Sequence, residues 1–403
     1  MRTLLLTIAI ISGLTATAAK KTKLPTRQEI LTSMELANDY FIKKYPDAGA
    51  PTYVKRMRPS NLWTRGVYFE GLVALTDIER DLQAPKYGQN NQYLYDWASF
   101  HKWVPRNGVK TRDADDYCCS QAYLSMYQNG QTTVIEPTIQ CMDNLLSTPE
   151  SVKDWTWIDA IQMGLPVLTR LSMIKSQAGE ADFSRYAEHG WKMYHWTRNE
   201  IIWKEYSKTN DRADAGLFNE KEGLWWRDCD FTPPYKEPNG KHCYWSRGNG
   251  WVYAALVRAM QDIMDTPGYD GHLSDYRRDY MLMTEALVKC QRKDHFWNVS
   301  LLDESNYGGK ELTGTALFIY GMAWGVRNGM LDSKTYMPVI ASTWDAMVSE
   351  CLHGNGFLGY VQGTGKQPSD SQPVGYDNEP DFDDFGLGCF LLAGSEVWKL
   401  ASK

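Results

Sequence analysis

The sequence of 403 residues lacks an excess of basic charge. It contains 43 Lys and Arg against 49 Asp and Glu, so its formal net charge is −6. No tract combines basic and aromatic residues in the way that nucleic-acid surfaces do. The composition therefore argues against a nucleic-acid partner. The 16 Trp and 24 Tyr are numerous, and they suit both a large core and the stacking of aromatic rings on sugars.

Long hydrophobic runs are also missing. No segment is continuously apolar over the roughly 18 residues that a membrane-spanning helix needs. The apolar run at residues 4–14 is too short; it follows Arg2 and precedes the small residues Ala16 and Ala18. This pattern is typical of an export signal with its cleavage site. We expect residues 1–18 to be a signal peptide and the mature chain to be periplasmic or secreted, without membrane insertion.

Metal-binding spacings are absent from the sequence. The seven His form no HExxH pair and the eight Cys form no CxxC pair, so no metal site is predicted. An even number of cysteines in an exported protein is compatible with disulfides. Cys229 and Cys243 flank a loop that contains Pro and Gly, and they are the best candidate pair.

Six segments are apolar nearly all round, and each follows a short polar or Gly-rich stretch. Their sequences are TRGVYFEGLVAL, ADDYCCSQAYLSMY, WIDAIQMGLPVLTRL, RGNGWVYAALVRAM, LTGTALFIYGMAWGV and DFGLGCFLLAGSEVW. Helices of this kind are buried on most faces. The stretches between them are more amphipathic, and strand-like alternation is scarce. With no low-complexity linker, the chain is predicted to form one all-α domain over residues 19–403, an (α/α)6 barrel.

This architecture also predicts where ligands bind. If the six buried helices run the same way, their polar N-terminal stretches meet on one face. Helix N-termini carry unpaired N–H groups and partial positive charge, which favour a carboxylate or phosphate. One face of the barrel is therefore expected to prefer an anionic ligand.

Asp159, in WIDA, is the first candidate for chemistry. It is a lone acid among Trp157, Ile158 and Ala160, and no further charge follows until Arg170. Poor solvation would raise its pKa toward that of a general acid. Asp is also a favoured helix N-cap, and position alone leaves the two roles equally open.

Asp115 and Asp116 form the second candidate. Adjacent side chains on a helix diverge, so one acid can face the cavity while the other faces elsewhere. An acid that faces Asp159 would give a carboxylate pair with distinct pKa values. Two capping acids explain the segment equally well.

The segment YWSRGNGW is the most specific local signal. Arg247 and Trp251 are four residues apart and share one helix face, and Trp245 precedes them. A guanidinium binds a carboxylate through two hydrogen bonds, and an indole offers a flat surface to a sugar. The alternative is a structural Arg that pairs with an acid of the core. Weaker candidates are Trp63, Arg227, Glu311 and Thr364, each of which read alone fits packing or turn chemistry.

Together these segments resemble the unsaturated glucuronyl and rhamnogalacturonyl hydrolases, glycoside hydrolase families 88 and 105. The carriers are Trp63 with Gly66, ADDYCCSQAYLSMY, WIDAIQMGLPVL, GLWW, WSRGNGW, ELTGTA and FGLGCFLLAGSEV, which extend over most of the chain. The resemblance implies the (α/α)6 fold, Asp159 as catalytic acid/base and Asp115 as second essential carboxylate. It also implies that Arg247 and Trp251 hold an unsaturated uronate, and that Trp63 lines the sugar site.

The expected substrate-binding residues are Trp63, Asp116, Trp157, Arg227, Trp245, Arg247, Trp251 and Thr364. One departure from the family pattern concerns Arg227, since many relatives carry a His in a YHGW-like segment where this chain has WRDC. The resemblance implies hydration of a C4=C5 double bond in a terminal uronate, with no cofactor. The expected partner is an oligosaccharide, and the expected oligomeric state is a monomer or homodimer.

Two other functions stay open at this point. An inverting glycosidase that acts on a saturated sugar would need a second carboxylate, Asp115 or Glu311, as its base. A noncatalytic glycan-binding protein would use the aromatic residues alone. The combination of Asp159, Asp115 and Arg247 argues against it, because binding does not need a lone buried acid.

Overall fold

The computed structural model describes residues 23–53 and 57–402, so the predicted signal peptide lies outside the described residues. The α-helices of the described ranges are α1 (Arg27–Lys44), α2 (Trp63–Leu82), α3 (Tyr87–Phe100), α4 (Ala114–Tyr117), α5 (Ser120–Gln128), α6 (Glu136–Leu146), α7 (Asp159–Gln177), α8 (Arg185–Asn199), α9 (Trp203–Tyr206), α10 (Ser246–Met264), α11 (Leu273–Lys289), α12 (Leu312–Arg327), α13 (Ser333–Glu350) and α14 (Asp384–Leu400). None of them is both long and apolar enough to cross a bilayer.

Strands are few and short in the described ranges. β1 (Thr52–Tyr53) pairs antiparallel with β2 (Met57–Arg58), and β3 (Phe218–Asn219) pairs antiparallel with β4 (Leu224–Trp225). Short 3-10 turns cover Pro149–Lys153 and Cys229–Phe231. Arg227 lies two residues after the end of the β3–β4 hairpin.

Six helices form a closed inner ring. In ring order they are α2, α5 with the preceding α4, α7, α10, α12 and α14, and α14 packs back against α2. These are the six segments predicted from their all-round apolar character. Their side chains make up most of the core: helix α12, for example, is buried without interruption from Leu312 to Gly325.

An outer layer of amphipathic helices covers the ring. Helix α8 packs on α7, α11 packs on α10, α13 packs on α12, and α1 and α3 pack on α14 and α2. Helix α6 packs beside α8. The inner ring and its outer partners form the predicted (α/α)6 barrel, and the fold prediction is confirmed.

Helix α7 contains an internal proline that the barrel accommodates. Pro166 has no N–H, so the carbonyl of Gln162 loses its usual helical donor. The side-chain amide of Gln121 on α5 donates to that carbonyl at 2.8 Å. The bond satisfies a buried acceptor and ties two neighbouring inner helices together.

The middle of the barrel is filled by polar side chains as well as apolar ones. Glu70 on α2 accepts from Arg258 on α10 at 2.5 Å and from the amide of Gln162 on α7 at 3.2 Å. The Glu70 side chain is 1% exposed. The ion pair joins α2 to α10, and the hydrogen bond from Gln162 adds α7.

Candidate active site

The N-termini of the inner helices meet on one face, as predicted. The ring of Trp63, at the start of α2, lies 5.4 Å from Phe385 at the start of α14 and 6.2 Å from Trp251 near the start of α10. A Cβ on Gly314 of α12 would overlap the Ser246 side chain of α10, so these two helix starts also touch.

Asp159 is the first residue of α7 and is 8% exposed. Its Oδ2 accepts a hydrogen bond from Nε of Arg227 at 3.1 Å. Burial raises the pKa of the Asp159 carboxyl, whereas the charges of Arg227 and Arg247 and a backbone N–H oppose that rise. The residue is thus a desolvated carboxyl beside a cation, at a helix N-terminus.

The loop after β4 is fastened so that Arg227 faces Asp159. The backbone N–H of Ile158 donates to the carbonyl of Arg227 at 3.0 Å. Asn249 on α10 clamps the preceding strand, because its side chain bonds both the N–H and the carbonyl of Trp225 at 2.9 and 3.0 Å. Asn249 is a positioning residue that the sequence analysis did not single out, although it lies within YWSRGNGW.

The two adjacent acids of α4 have different surroundings. Asp116 is 3% exposed and its carboxylate accepts from Arg106, Asn107 and Thr111 at 2.6–2.9 Å. Those contacts anchor the preceding loop, and the expected contact of Asp116 with substrate stays a prediction. The cap of α4 is Asp113, which accepts from the N–H of Asp115 at 3.0 Å.

Asp115 lies close enough to Asp159 and Arg227 for their charges to act on its carboxyl group. Its pKa is raised to about 7 by burial and by the negative charges of Asp113 and Asp159, against a lowering by Arg227. The negative charge of Asp159 therefore acts on the Asp115 carboxyl, and a functional carboxylate pair stays a prediction. The structure thereby separates Asp115 from Asp116, which the sequence left open.

We expect Asp115→Asn to stabilise the protein increasingly as the pH rises from about 4 to about 7, and by a constant amount above that. The folded state holds Asp115 with a pKa of about 7, above the ordinary value of 3.8, so its charging opposes folding as the pH rises. The melting temperature of the variant should match that of wild type near pH 4, rise above it through pH 7 and then level off. Since one pKa unit is about 1.4 kcal/mol, the plateau is on the order of a few kcal/mol.

Thermal unfolding across this pH range, with Asp116→Asn as the matched neighbour, tests the expectation. Asp116→Asn removes a charge that three donors stabilise and should lower the melting temperature at neutral pH. If the melting temperatures of the two variants depended on pH in the same way, Asp115 would not be a carboxyl group with a raised pKa.

Arg247 is enclosed rather than open to the site. It is 0% exposed, and its Nη1 and Nη2 donate to the carbonyls of Gln362 and Gly363, both at 2.7 Å. Its guanidinium stacks on Trp245 at 4.5 Å and on Phe385 at 4.9 Å. Only Nε lacks an acceptor among the described residues. Direct binding of a uronate by Arg247 stays a prediction.

Of the four tryptophans predicted to bind sugar, two are half-buried and two are fully buried. Trp63 and Trp157 are half-buried, and the backbone of Trp157 pairs with Asp228 in an isolated bridge. Trp245 is 1% exposed and donates from Nε1 to Gln362 at 2.9 Å. Trp251 is buried, and its Nε1 has no acceptor in the described part of the chain. Trp63 and Trp157 are therefore the two that can meet a sugar without rearrangement.

A long segment, residues 360–383, runs from Tyr360 to the start of α14 beside these residues. Gln362 is fully buried within it and bonds the indole of Trp245, while its carbonyl holds Arg247. Thr364 donates from its N–H to Asp381 at 2.7 Å and its hydroxyl bonds the same carboxylate. Thr364 therefore shapes the segment, and its predicted contact with substrate stays a prediction.

Glu311 is the N-cap of α12. Its two carboxylate oxygens accept from the N–H groups of Thr313 and Gly314 at 2.9 and 2.8 Å, and the residue is 0% exposed. With both oxygens occupied inside the core, Glu311 is poorly placed to act as the base of an inverting glycosidase.

The Cys229–Cys243 disulfide is absent, and that prediction was wrong. All eight cysteines lie in the described ranges and all are free thiols, seven of them buried. Burial, with the nearby Glu237 carboxylate, raises the pKa of the Cys243 thiol. The described residues contain no group of three or more His, Cys, Asp or Glu side chains arranged to hold a metal ion.

Comparisons with known proteins find relatives that match most of the chain. The unsaturated 3S-rhamnoglycuronyl hydrolase of Formosa agariphila is 29% identical over 358 residues, which cover 84% of each chain. A solved glycosyl hydrolase family 88 protein from Bacteroides vulgatus superposes with a TM-score of 0.77 at 25% identity, covering 93% of this chain and 99% of the other. The solved protein named Polysaccharide Lyase BACCELL_00875 also gives 0.77, at 26% identity over 93% and 98% of the chains.

The family assignment rests on nearly the whole chain. The sequence profile of Glycosyl Hydrolase Family 88 matches residues 33–401, which span every ring helix and the site at their N-termini. The chain belongs to Glycosyl Hydrolase Family 88 and is a glycosidase.

Proposed function

We propose that this enzyme removes a terminal 4,5-unsaturated uronate from oligosaccharides that a polysaccharide lyase has produced, by hydrating the C4=C5 double bond. The observation that carries the proposal is the buried carboxyl of Asp159 at the start of α7, hydrogen-bonded to Arg227. The relative from Formosa agariphila, whose printed name is unsaturated 3S-rhamnoglycuronyl hydrolase, supports a uronate joined to rhamnose. We propose a rhamnogalacturonan-type oligosaccharide or a similar one as the substrate.

The charge of the site suits a uronate. Six inner helices direct their N-termini, with partial positive charge, at the same face. Arg227 adds a guanidinium that is partly exposed, and Arg247 adds positive charge from behind. A carboxylate on C5 of the sugar would therefore be attracted to the region beside Asp159.

The proposed reaction uses one carboxyl group twice. Neutral Asp159 protonates C4 of the enol ether, and positive charge develops on C5 and the ring oxygen. The Asp159 carboxylate then accepts a proton from water as that water adds to C5. The resulting hemiketal opens and releases the neighbouring sugar. Asp115 is proposed to hold the ring hydroxyls, and no cofactor takes part.

Cell location and chain organisation form part of the same proposal. Residues 1–18 would direct export, and residues 19–403 would form the mature catalytic domain in the periplasm or outside the cell. There the enzyme would meet lyase products as a monomer or homodimer, with no nucleic-acid or membrane partner. Mass spectrometry of the secreted protein's N-terminus tests the cleavage position.

The test is the ultraviolet absorbance of the substrate's double bond, which is conjugated with its carboxylate. Lyase digests of rhamnogalacturonan, ulvan and glycosaminoglycans are mixed with the mature enzyme. We expect the band to disappear with a uronyl-rhamnose digest, because hydration removes the conjugation. An unchanged band with every digest would contradict the proposal, and saturated glycosides would then be assayed for an inverting activity.

A lyase activity is the second candidate, because one structural neighbour carries that name. Elimination creates the conjugated double bond, whereas hydration destroys it. Undigested polysaccharide is therefore assayed in parallel, and a rising band would favour the lyase. Membership of a glycosyl hydrolase family favours hydration.

A further inference from the structure

The ion pair of Asp159 conflicts with the protonation state that the proposed first step requires. A general acid must carry a proton, yet Arg227 donates from Nε to Asp159 Oδ2 at 3.1 Å. A neighbouring cation stabilises the charged form of a carboxyl group. Burial raises the pKa of the Asp159 carboxyl, but the charge of Arg227 opposes that rise, so loss of the contact with Arg227 would raise the pKa further.

Arg227 has the freedom to change partner. Its side chain is 19% exposed, and Asp228 holds its Nη1 at 2.7 Å, on the same loop. Its Nη2 donates to none of the residues that the structure describes. Arg247, in contrast, is fully enclosed with both terminal nitrogens bound to carbonyls. Of these two guanidinium groups, Arg227 is the one that a uronate can reach directly.

We propose that Arg227 exchanges Asp159 for the uronate carboxylate when substrate binds, and that Asp159 takes up a proton from solvent in the same event. The inference rests on the proposed function. The hydrogen bond from Arg227 to Asp159 breaks, a bond from Arg227 to the uronate forms, and Asp228 keeps the guanidinium anchored. One proton passes from the solvent to Asp159. The enzyme–substrate complex gains one positive charge and the solvent loses one.

The other charged groups around Asp159 favour this exchange. Asp228 on the Arg227 loop is negative, Asp115 on α4 is partly ionised at neutral pH because its pKa is about 7, and the arriving uronate adds a further negative charge. Arg247 on α10 and the N-terminus of α7 remain as the positive groups. With Arg227 shared by the uronate, a proton on Asp159 relieves the repulsion. Binding and protonation are then linked, so each promotes the other.

Calorimetry of a saturated uronyl-rhamnose disaccharide tests the exchange without turnover. The ligand has the carboxylate but no double bond, and titrations in buffers of different ionisation enthalpy count the protons taken up. We expect wild type to take up close to one proton at neutral pH, and Asp159→Asn to take up close to none. Asp115→Asn should retain the uptake. Absence of binding, or binding without uptake, would overturn the proposal, as would uptake that persists in Asp159→Asn.

Variants of Arg227 give a second measurement. Arg227→Gln should abolish the proton uptake and weaken binding at least tenfold, whereas Arg227→Lys should keep part of both. Arg212→Gln, which removes an exposed Arg paired with Asp214, should behave as wild type. Full uptake in Arg227→Gln would contradict the exchange. If proton uptake is found but the ultraviolet band never disappears, the hydration chemistry fails while the exchange stands.

Discussion

Asp159→Asn is expected to lower kcat/KM by about 10²–10⁴-fold, the range of positioned acid–base catalysis. The loss should lie at the upper end, because the same carboxyl group both protonates C4 and activates the water. Asn has nearly the same shape, and Asp228 continues to hold Arg227 at 2.7 Å. The initial rate of band loss measures activity, and thermal unfolding shows that the fold persists.

The matched control for Asp159→Asn is Asp214→Asn. Asp214 pairs with Arg212 on the surface, with a side chain that is 50% exposed. Its neutralisation should leave kcat/KM within twofold of wild type. A comparable loss in both variants would point to instability, and full activity in Asp159→Asn would exclude Asp159 as the acid.

The helical ring was predictable because its signal is local. Each inner helix is apolar on nearly all faces, and only a helix enclosed on both sides has that composition. The convergence of the helix N-termini then followed from topology. The cap of α12 by Glu311 is local too, since its partners are two and three residues away.

The partners of the site residues were not predictable from the sequence. Arg227 and Asp159 are 68 residues apart, and Arg247 is 115 residues from the carbonyl of Gln362 that it binds. Such contacts depend on where a loop crosses the face of the barrel, and the spacing of apolar residues in the sequence does not predict that position. The resemblance to relatives named Arg247 as the uronate ligand, whereas its burial makes Arg227 the more accessible guanidinium.

Gly388→Leu is expected to prevent stable folding. Gly388 lies where α14 crosses α2 to close the ring, and a Cβ there would come within 2.3 Å of the Val67 carbonyl oxygen and 2.8 Å of the Tyr68 nitrogen. Both atoms are backbone, so no side-chain rotation relieves the overlap. Facing it, a Cβ on Gly71 would lie 2.7 Å from the Gly388 oxygen. Leu should yield insoluble protein, while Gly388→Ala should fold with a destabilisation of about 3 kcal/mol.

Gly88→Ala is the matched control, because it adds the same methyl group to a helix. A Cβ on Gly88, at an exposed position of α3, would meet no atom within 4 Å. Replacing an unconstrained helical glycine lowers the entropy of the unfolded chain, so this variant should gain about 0.5–1 kcal/mol. Denaturant unfolding of both Ala variants measures the contrast. Equal stability of Gly388→Ala and Gly88→Ala would mean that α2 and α14 can move apart without loss of folding free energy. The close backbone contact between these two helices would then not be needed to close the ring.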